Sequence, residues 1–563
     1  MCCWNVTICT RYFSIENTGI SLNPGAQSLS LSSSLTPLSR ALLANNSSIM
    51  EALLSQPIAT TALVATVLFS FVYNVYLVIY RLWFSPLAKF PGPKFAAASF
   101  WYEFYYDYWL DGKYLFEVEK MHKKYGPIVR VNPDELSIHD PEFYNEIYVT
   151  ESKRRTNSYD VFCKGIDFDG SHLLTADHDL HRKRRKPMEG FFSRKGITQL
   201  QPMLAEVALH LESRFRELEG KNAVIRLDHA FSAFSGDIIG RICLGTGDRG
   251  SHGDRFLDTP DFASDWYDII HAIVRSIPLF TGFPQIIQVL SLLPESLLLW
   301  VYPKGQMFNI FRQRALQQIR LANSEQSKGE DSGISIFRHI ANSDMPEEER
   351  TEERLAKEAQ VLLGGGTAST ARTIGFASFY ILSRPELRSK LEAELKGPMA
   401  NWPEQVPTWA ELEQLPLLQG IIKESLRLSY GVMHRLPRVF PDQAIQYKDF
   451  VIPPGIPVGM SAYFMHSDPE VYPNPGEFIP ERWVHDVKPA MHRSYVPFCR
   501  GSRNCLGMNL AMAEMSLILA VLYRSNGPKL ELYETDESDV KQAHDFLIPL
   551  PKLSTKGVRA LIR

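Results

Sequence analysis

An excess of charge of either sign is missing from this 563-residue sequence: 60 Lys and Arg stand against 63 Asp and Glu, a net charge of −3. That balance removes the electrostatic case for a nucleic-acid partner. Cysteine is scarce too. The seven residues Cys2, Cys3, Cys9, Cys163, Cys243, Cys499 and Cys505 are odd in number and scattered, so they imply no disulfide framework. Beyond the first ten positions, the usage suits a reducing compartment. No His-Glu-x-x-His and no Gly-x-Ser-x-Gly pattern occurs, which leaves zinc-protease and serine-hydrolase chemistry without residues to carry it. One Gly-x-Gly-x-x-Gly is present, Gly245 to Gly250, but it runs on into Ser251-His252-Gly253-Asp254. A dinucleotide site needs a helix to start there, so this stretch reads as a surface loop.

What is present supports a large core, since 45% of residues are hydrophobic. Residues 1–49 are rich in Ser, Leu, Asn and Thr without a period, and read as a disordered extension. The triplets at Asn5, Asn45 and Asn46 are of a kind common by chance. Met50-Glu51-Ala52-Leu53 looks like a fresh start, and an over-long gene model is the alternative account of the extension. From Ile58 to Tyr80 the chain runs 23 residues without a charge. As a helix this spans roughly 34 Å, enough for a bilayer. A buried core helix is the alternative. Arg81 and Lys89 follow and favour a cytoplasmic C-terminal side. The segment is too poor in arginine for a transit peptide, and an uncleaved signal-anchor is expected. Residues 81–94 end in the rigid breaker Phe90-Pro91-Gly92-Pro93-Lys94, and residues 95–563 are expected to form one body. Short strand-like runs at Ile128 to Val131 and Glu135 to Ile138 flank Asn132-Pro133, a hairpin signal.

The body is organised around Phe498-Cys499-Arg500-Gly501-Ser502-Arg503-Asn504-Cys505-Leu506-Gly507. Cys505 stands just ahead of an apolar helical run, where unpaired N–H groups and the positive end of the dipole stabilise a thiolate. Arg503 adds a charge two residues away. Gly501 takes backbone angles barred to other residues, and Gly507 allows close approach of a flat ligand. A lone intracellular cysteine is usually a small buried hydrophobe. The pattern Phe-x-x-Gly-x-Arg-x-Cys-x-Gly, however, matches a chain of this length by accident only on the order of once in ten thousand.

This loop resembles the haem-thiolate loop of the cytochrome P-450 family. The resemblance implies a mainly α fold with small β-sheets behind an N-terminal transmembrane anchor. It also implies haem b (iron protoporphyrin IX), with Cys505 as the axial iron ligand and Phe498, Arg503 and Gly507 beside the cofactor. The proline breaker resembles the hinge of microsomal members. His181 and Arg185, four apart on a basic helix that otherwise reads as a solvated face, match the family's Trp and Arg on a haem propionate. In His434-Arg435-Leu436-Pro437-Arg438 the matching arginine is Arg438. Arg185, Arg438 and Arg503, with His181, are expected to neutralise two carboxylates. Glu424 and Arg427 match the family's Glu-x-x-Arg pair. Such a pair alone carries nothing, since Glu151/Arg154 and Glu347/Arg350 fit it too. The run Phe478-Ile479-Pro480-Glu481-Arg482-Trp483 supplies Arg482 as third member of a buried network.

Pro346 is expected to open a long helix ending near Ser383-Arg384-Pro385. Gly364-Gly365-Gly366 stands inside it, so either the helix breaks there or something approaches its backbone. The stretch resembles the family's oxygen-binding segment, with Gly365 and Gly366 at its first two positions and Gly366 near the cofactor. The acidic position is Ala368. Ser369 and Thr370 are then the candidate catalytic hydroxyls. The apolar stretch from Ser276 to Pro303 reads either as core or as a lipid-dipping substrate entrance.

The chain ends 58 residues after Cys505, which leaves no room for a flavin domain. The expected partner is therefore a separate NADPH-cytochrome P-450 reductase docking on the basic face, with O2 as co-substrate and NADPH acting indirectly. The overall texture is reminiscent of fungal secondary-metabolism oxygenases acting on terpenoids such as trichodiene. The expected place is the endoplasmic reticulum membrane, single-pass, with the catalytic body facing the cytosol. The substrate is expected to be a hydrophobic small molecule. Two alternatives stand beside monooxygenation: a haem-thiolate isomerase or dehydratase needing no reductase, and a non-catalytic haem-binding relative.

Overall fold

The computed structural model describes residues 58–150, 152–159, 170–244, 255–282, 297, 299, 306–323, 335–485 and 487–563. The expected disordered extension and the Gly245 to Gly250 loop lie outside the described residues, as does most of the apolar stretch beyond Gly282. The chain forms two units, one ending at Ala88 and one spanning Lys89–Arg563.

The first unit carries helix α1 (Ile58–Ile79), which continues as a π-helical turn over Tyr80–Phe84. Among the described residues, Thr60–Phe84 is the one stretch long and apolar enough to cross a membrane, at 25 residues. Its large side chains, Phe69, Phe71 and Val72 among them, are exposed.

The second unit is mostly helical. Its main helices are α2 (His178–Glu189), α3 (Arg194–Arg216), α4 (Leu227–Leu244), α5 (Ser264–Gly282), α6 (Glu352–Ser383), α7 (Pro416–Ser429) and α8 (Met508–Tyr523). In α5 the buried positions Trp266, Ile269, Ile270, Ile273 and Val274 recur at the helical period, so one stripe faces the core. Helix α8 has no exposed face after Ala513 and forms the centre of the main hydrophobic cluster with α3, α4, α6 and α7. The sheets are small, of two to five strands. Strands Ile128–Arg130 and Leu136–Ile138 form the expected hairpin, and Leu136–Ile138 pairs in parallel with Pro457–Gly459. The latter pairs with Arg438–Val439, which fixes the backbone of Arg438.

Helix α6 differs from expectation in two ways. Pro346 opens only a 3-10 turn, Glu347–Glu349, and the helix proper begins at Glu352. The reason is local: Thr351 is extended, and its hydroxyl accepts from the Arg354 N–H at 3.3 Å, a true N-cap. The three glycines do not break the helix. A Cβ on Gly366 would stand 3.0 Å from Cγ1 of Ile239, so α4 packs close against the helix there, whereas a Cβ on Gly365 would meet open space.

Behind this packing lies one unpaired acid. Glu514 of α8 is 1% exposed, and Ser235 of α4 donates to it at 2.8 Å. Burial pushes its carboxyl up to about 8. The unfolded chain releases this proton near pH 4.3, while the folded chain holds it to about 8. The stability contribution is therefore complete below the lower value and declines through the upper one, by up to about 1.4 kcal/mol per pH unit. Glu514→Gln is expected to flatten the stability profile across that window, read by urea unfolding at each pH. Profiles of equal slope would show that Glu514 ionises in the fold as it does in the unfolded chain.

Candidate functional site

The cysteine loop is closed by its own backbone. Cys505 N–H donates to the Phe498 carbonyl at 2.9 Å, and Ser502 N–H to the Val149 carbonyl at 3.1 Å. A 3-10 turn, Gly501–Arg503, carries the chain round. Gly501 has φ +79°, and a Cβ there would sit 2.4 Å from the Val149 oxygen, so only glycine fits. Gly507, the residue before α8, has an ordinary φ of −86°. A Cβ there would meet nothing, which leaves room for a close approach. Phe498 packs against the main core cluster.

Cys505 is solvent-accessible although protein surrounds it. Burial pushes its pKa up, while the Gly507 N–H and the Arg185 charge pull it down. This corrects the expectation from sequence in two respects. The cation acting on the sulfur is Arg185, not Arg503, and the helix terminus does not outweigh burial. A cation bonded to the sulfur is what would hold it as thiolate.

Around His181 the fold gathers cations from three stretches of the chain. Asp177 caps α2, accepting from Leu180 N–H at 2.9 Å. On α2, Arg182, Lys183 and Lys186 are exposed, whereas His181 and Arg185 are buried. Arg185 donates to the Asn504 carbonyl at 2.6 Å and to its side-chain oxygen at 2.9 Å, and pairs with Glu189 at 3.0 Å. Arg503 donates to the carbonyls of Thr175 and Ala176, each at 2.6 Å. Arg438 lies over the Tyr148 ring at 5.2 Å and donates to the Pro437 carbonyl at 3.2 Å. All three charges act on His181. Burial first, then Arg503, His172, Arg185 and Arg438, press its pKa down to about 2. His181 is therefore neutral, which corrects its expected share in neutralising charge. Its Nδ1 is buried and makes no hydrogen bond within the protein.

Glu424, Arg427 and Arg482 form one network. Arg427 grips Glu424 through two bonds of 2.8 and 2.9 Å, with both side chains fully buried. Arg482 Nε donates to Glu424 Oε1 at 3.0 Å. The remaining Arg427 donors reach the carbonyls of His466 at 2.8 Å and Pro475 at 2.7 Å. Sequence reasoning missed one member: Trp483 Nε1 donates to Glu424 Oε2 at 2.8 Å. Its position directly after Arg482 was the available signal. It also missed Asn504 as the partner of Arg185. A second buried network went unread, in which Glu358 of α6 pairs with Arg354 at 2.7 Å and with His172.

The candidate hydroxyls sit on α6. Ser369 donates to the Gly365 carbonyl one turn back at 2.8 Å, and Thr370 is buried. Ala368 faces a separate cavity, described below, and brings no carboxylate.

A thiol at the mouth of a buried helix with Arg185 beside it, and three arginines around a neutral histidine whose Nδ1 lacks a partner, fit a flat dianionic cofactor with an iron centre. Comparison with known proteins agrees with this reading. Residues 91–552 match the family model for Cytochrome P450. A cytochrome P450 monooxygenase, oblB, of Aspergillus clavatus is 50% identical over 525 residues, covering 91% of this chain and all of the relative. The fusicoccadiene C-8 hydroxylase of Phomopsis amygdali is 50% identical over 493 residues, 86% of this chain and 93% of the relative. The stellatic acid synthase of Emericella variicolor is 41% identical over 519 residues, covering 87% of this chain and 93% of the relative. The chain belongs to the cytochrome P450 family. It is accordingly an oxidoreductase of the monooxygenase class, and the family implies haem iron.

Proposed function

We propose that the protein hydroxylates, or otherwise oxidises, a terpenoid hydrocarbon of fungal secondary metabolism, using O2 and electrons from a separate NADPH-dependent reductase. The observation that carries this reading is 50% identity, over most of both chains, to a relative named for hydroxylating fusicoccadiene. The exposed cations Arg182, Lys183 and Lys186 of α2 support reductase docking near the cysteine loop. The apolar stretch Thr60–Phe84 supports a single-pass anchor, and Arg81 and Lys89 favour an endoplasmic reticulum protein whose body faces the cytosol.

In this reading Cys505 would hold the iron, Arg185, Arg438 and Arg503 would pair with the propionates, and His181 would offer its Nδ1 as a neutral hydrogen-bonding atom. Phe498, Gly507 and Gly366 would be the further residues that contact the cofactor. Glu424, Arg427 and Arg482 keep the loop's support rigid. Haem iron with a thiolate ligand supplies activation of dioxygen, since the thiolate pushes electron density that favours O–O cleavage. The chain's own part is to bind and orient substrate, exclude water and move protons. Ser369 Oγ–H now points at the Gly365 carbonyl, so it must rotate to pass a proton on. Ser369→Ala is expected to raise the NADPH consumed per product severalfold. Unchanged coupling would assign the relay to Thr370 or to substrate and water.

The substrate class is tested by a spin-shift titration of membranes holding the protein, against sesquiterpenes, diterpenes, polyketides and indole alkaloids. A saturable low- to high-spin shift with one terpene class is expected. A shift only with polyketides or alkaloids, or none at all beside an intact thiolate-type carbon monoxide spectrum, would withdraw the terpenoid reading. Product formed without NADPH or O2 would replace oxygenation by rearrangement.

A further inference from the structure

On one face of α6, Ala368, Ala371, Arg372 and Gly375 line a cavity of about 220 Å³. Asp228, at the start of α4, and Tyr267 and His271 of α5 stand across it. The carboxylates at its border are already engaged. Asp228 is bound by Arg226 and acts on Tyr267. Asp539 pairs with Lys552 at 3.1 Å and accepts from Thr555 at 2.6 Å. Asp268 is exposed and acts on Arg226, and Arg275 is exposed. His271 is held neutral, its pKa pressed by burial to about 4, with Nδ1 against the Tyr267 carbonyl at 2.9 Å.

Arg372 has no such arrangement. Its Nε is buried without a hydrogen-bond partner, and an Nη reaches the Val540 carbonyl only at 3.5 Å. Burial lowers its pKa to about 10, and the one group acting against that shift is the phenol of Tyr267, not a carboxylate. A guanidinium enclosed in this way is stabilised by an anion, and its planar fork matches a carboxylate's two oxygens. Ala368 lies four residues earlier on the same face, the spacing at which an acid would pair with Arg372.

We propose that this cavity is a binding site for a small carboxylate, held against Arg372 beside Ala368. The site goes beyond the reading of the substrate and does not depend on it.

The test uses the haem-loaded full chain in detergent, with sodium chloride exchanged stepwise for sodium acetate at constant ionic strength and pH. Melting temperature is the readout, because a ligand that binds only the folded state raises it saturably. Acetate is expected to raise the melting temperature of the wild type. The rise should vanish in Arg372→Gln, and also in Ala368→Asp, where the new carboxylate pairs with Arg372. Ala368→Asp should in addition melt above the wild type without acetate. No rise in the wild type, or an equal rise in all three proteins from general salt effects, overturns the site. If Arg372→Gln does not fold, the comparison of wild type with Ala368→Asp decides alone.

Discussion

Cys505→Ser is expected to abolish the thiolate-type Soret band formed with carbon monoxide after reduction, and to lower turnover by at least about a thousandfold. That factor corresponds to about 4 kcal/mol of barrier. The argument starts from the sulfur's surroundings. Enclosure by protein pushes the Cys505 thiol up, and only the Gly507 N–H and the Arg185 charge oppose it. A thiolate there depends on a metal, and the electronic push on the metal depends on the sulfur. Serine keeps the size of the side chain and removes that push. The loop contains a built-in control in its other thiol, Cys499. This residue sits in the left-handed region at φ +56°, with the Tyr144 hydroxyl 3.6 Å from its sulfur and Arg438 at 3.9 Å. Cys499→Ser should retain the band. The reverse pattern, band kept in Cys505→Ser and lost in Cys499→Ser, would move the ligand to Cys499.

The second large effect is expected from Arg427→Ala. It removes two hydrogen bonds from a fully buried Glu424 and leaves that carboxylate to Arg482, Trp483 and the Ile479 N–H. Breaking a buried pair from one side costs about 3–5 kcal/mol, because the remaining charge stays desolvated. The carbonyls of His466 and Pro475 lose their donor at the same time. The expected result is a lower urea midpoint and a purified protein short of haem. A triple variant, Glu424→Gln with Arg427→Met and Arg482→Met, should be less damaged than Arg427→Ala alone, since no charge of the network is stranded. Normal haem content and midpoint in Arg427→Ala would remove the network from any role in stability.

Much of this was readable in the chain because the relevant interactions are local. A glycine-turned loop before an apolar run marked Cys505. Glu424 and Arg427 are three apart and share a helix face wherever that helix goes. Local signals also misled. Pro346 looked like the start of α6, but the hydroxyl of Thr351 supplies a better cap five residues on. The glycine run looked like a possible break, yet the helix continues because α4 packs against Gly366. No periodicity announces a neighbour of that kind.

By itself, then, the sequence determined the glycine-turned cysteine loop before an apolar run, the membrane-length apolar stretch and the Glu-x-x-Arg spacing, while its resemblance to a known family implied the mainly helical class. The first three rest on residues close together in the chain. Only the tertiary structure decided which charges meet. Arg185, Arg438 and Arg503 come together around His181 and press it neutral. Arg372 is left facing a cavity whose border carboxylates Asp228 and Asp539 are held by Arg226 and Lys552. Such outcomes depend on how helices far apart in the chain pack, and on the cost of burying a charge once they have done so.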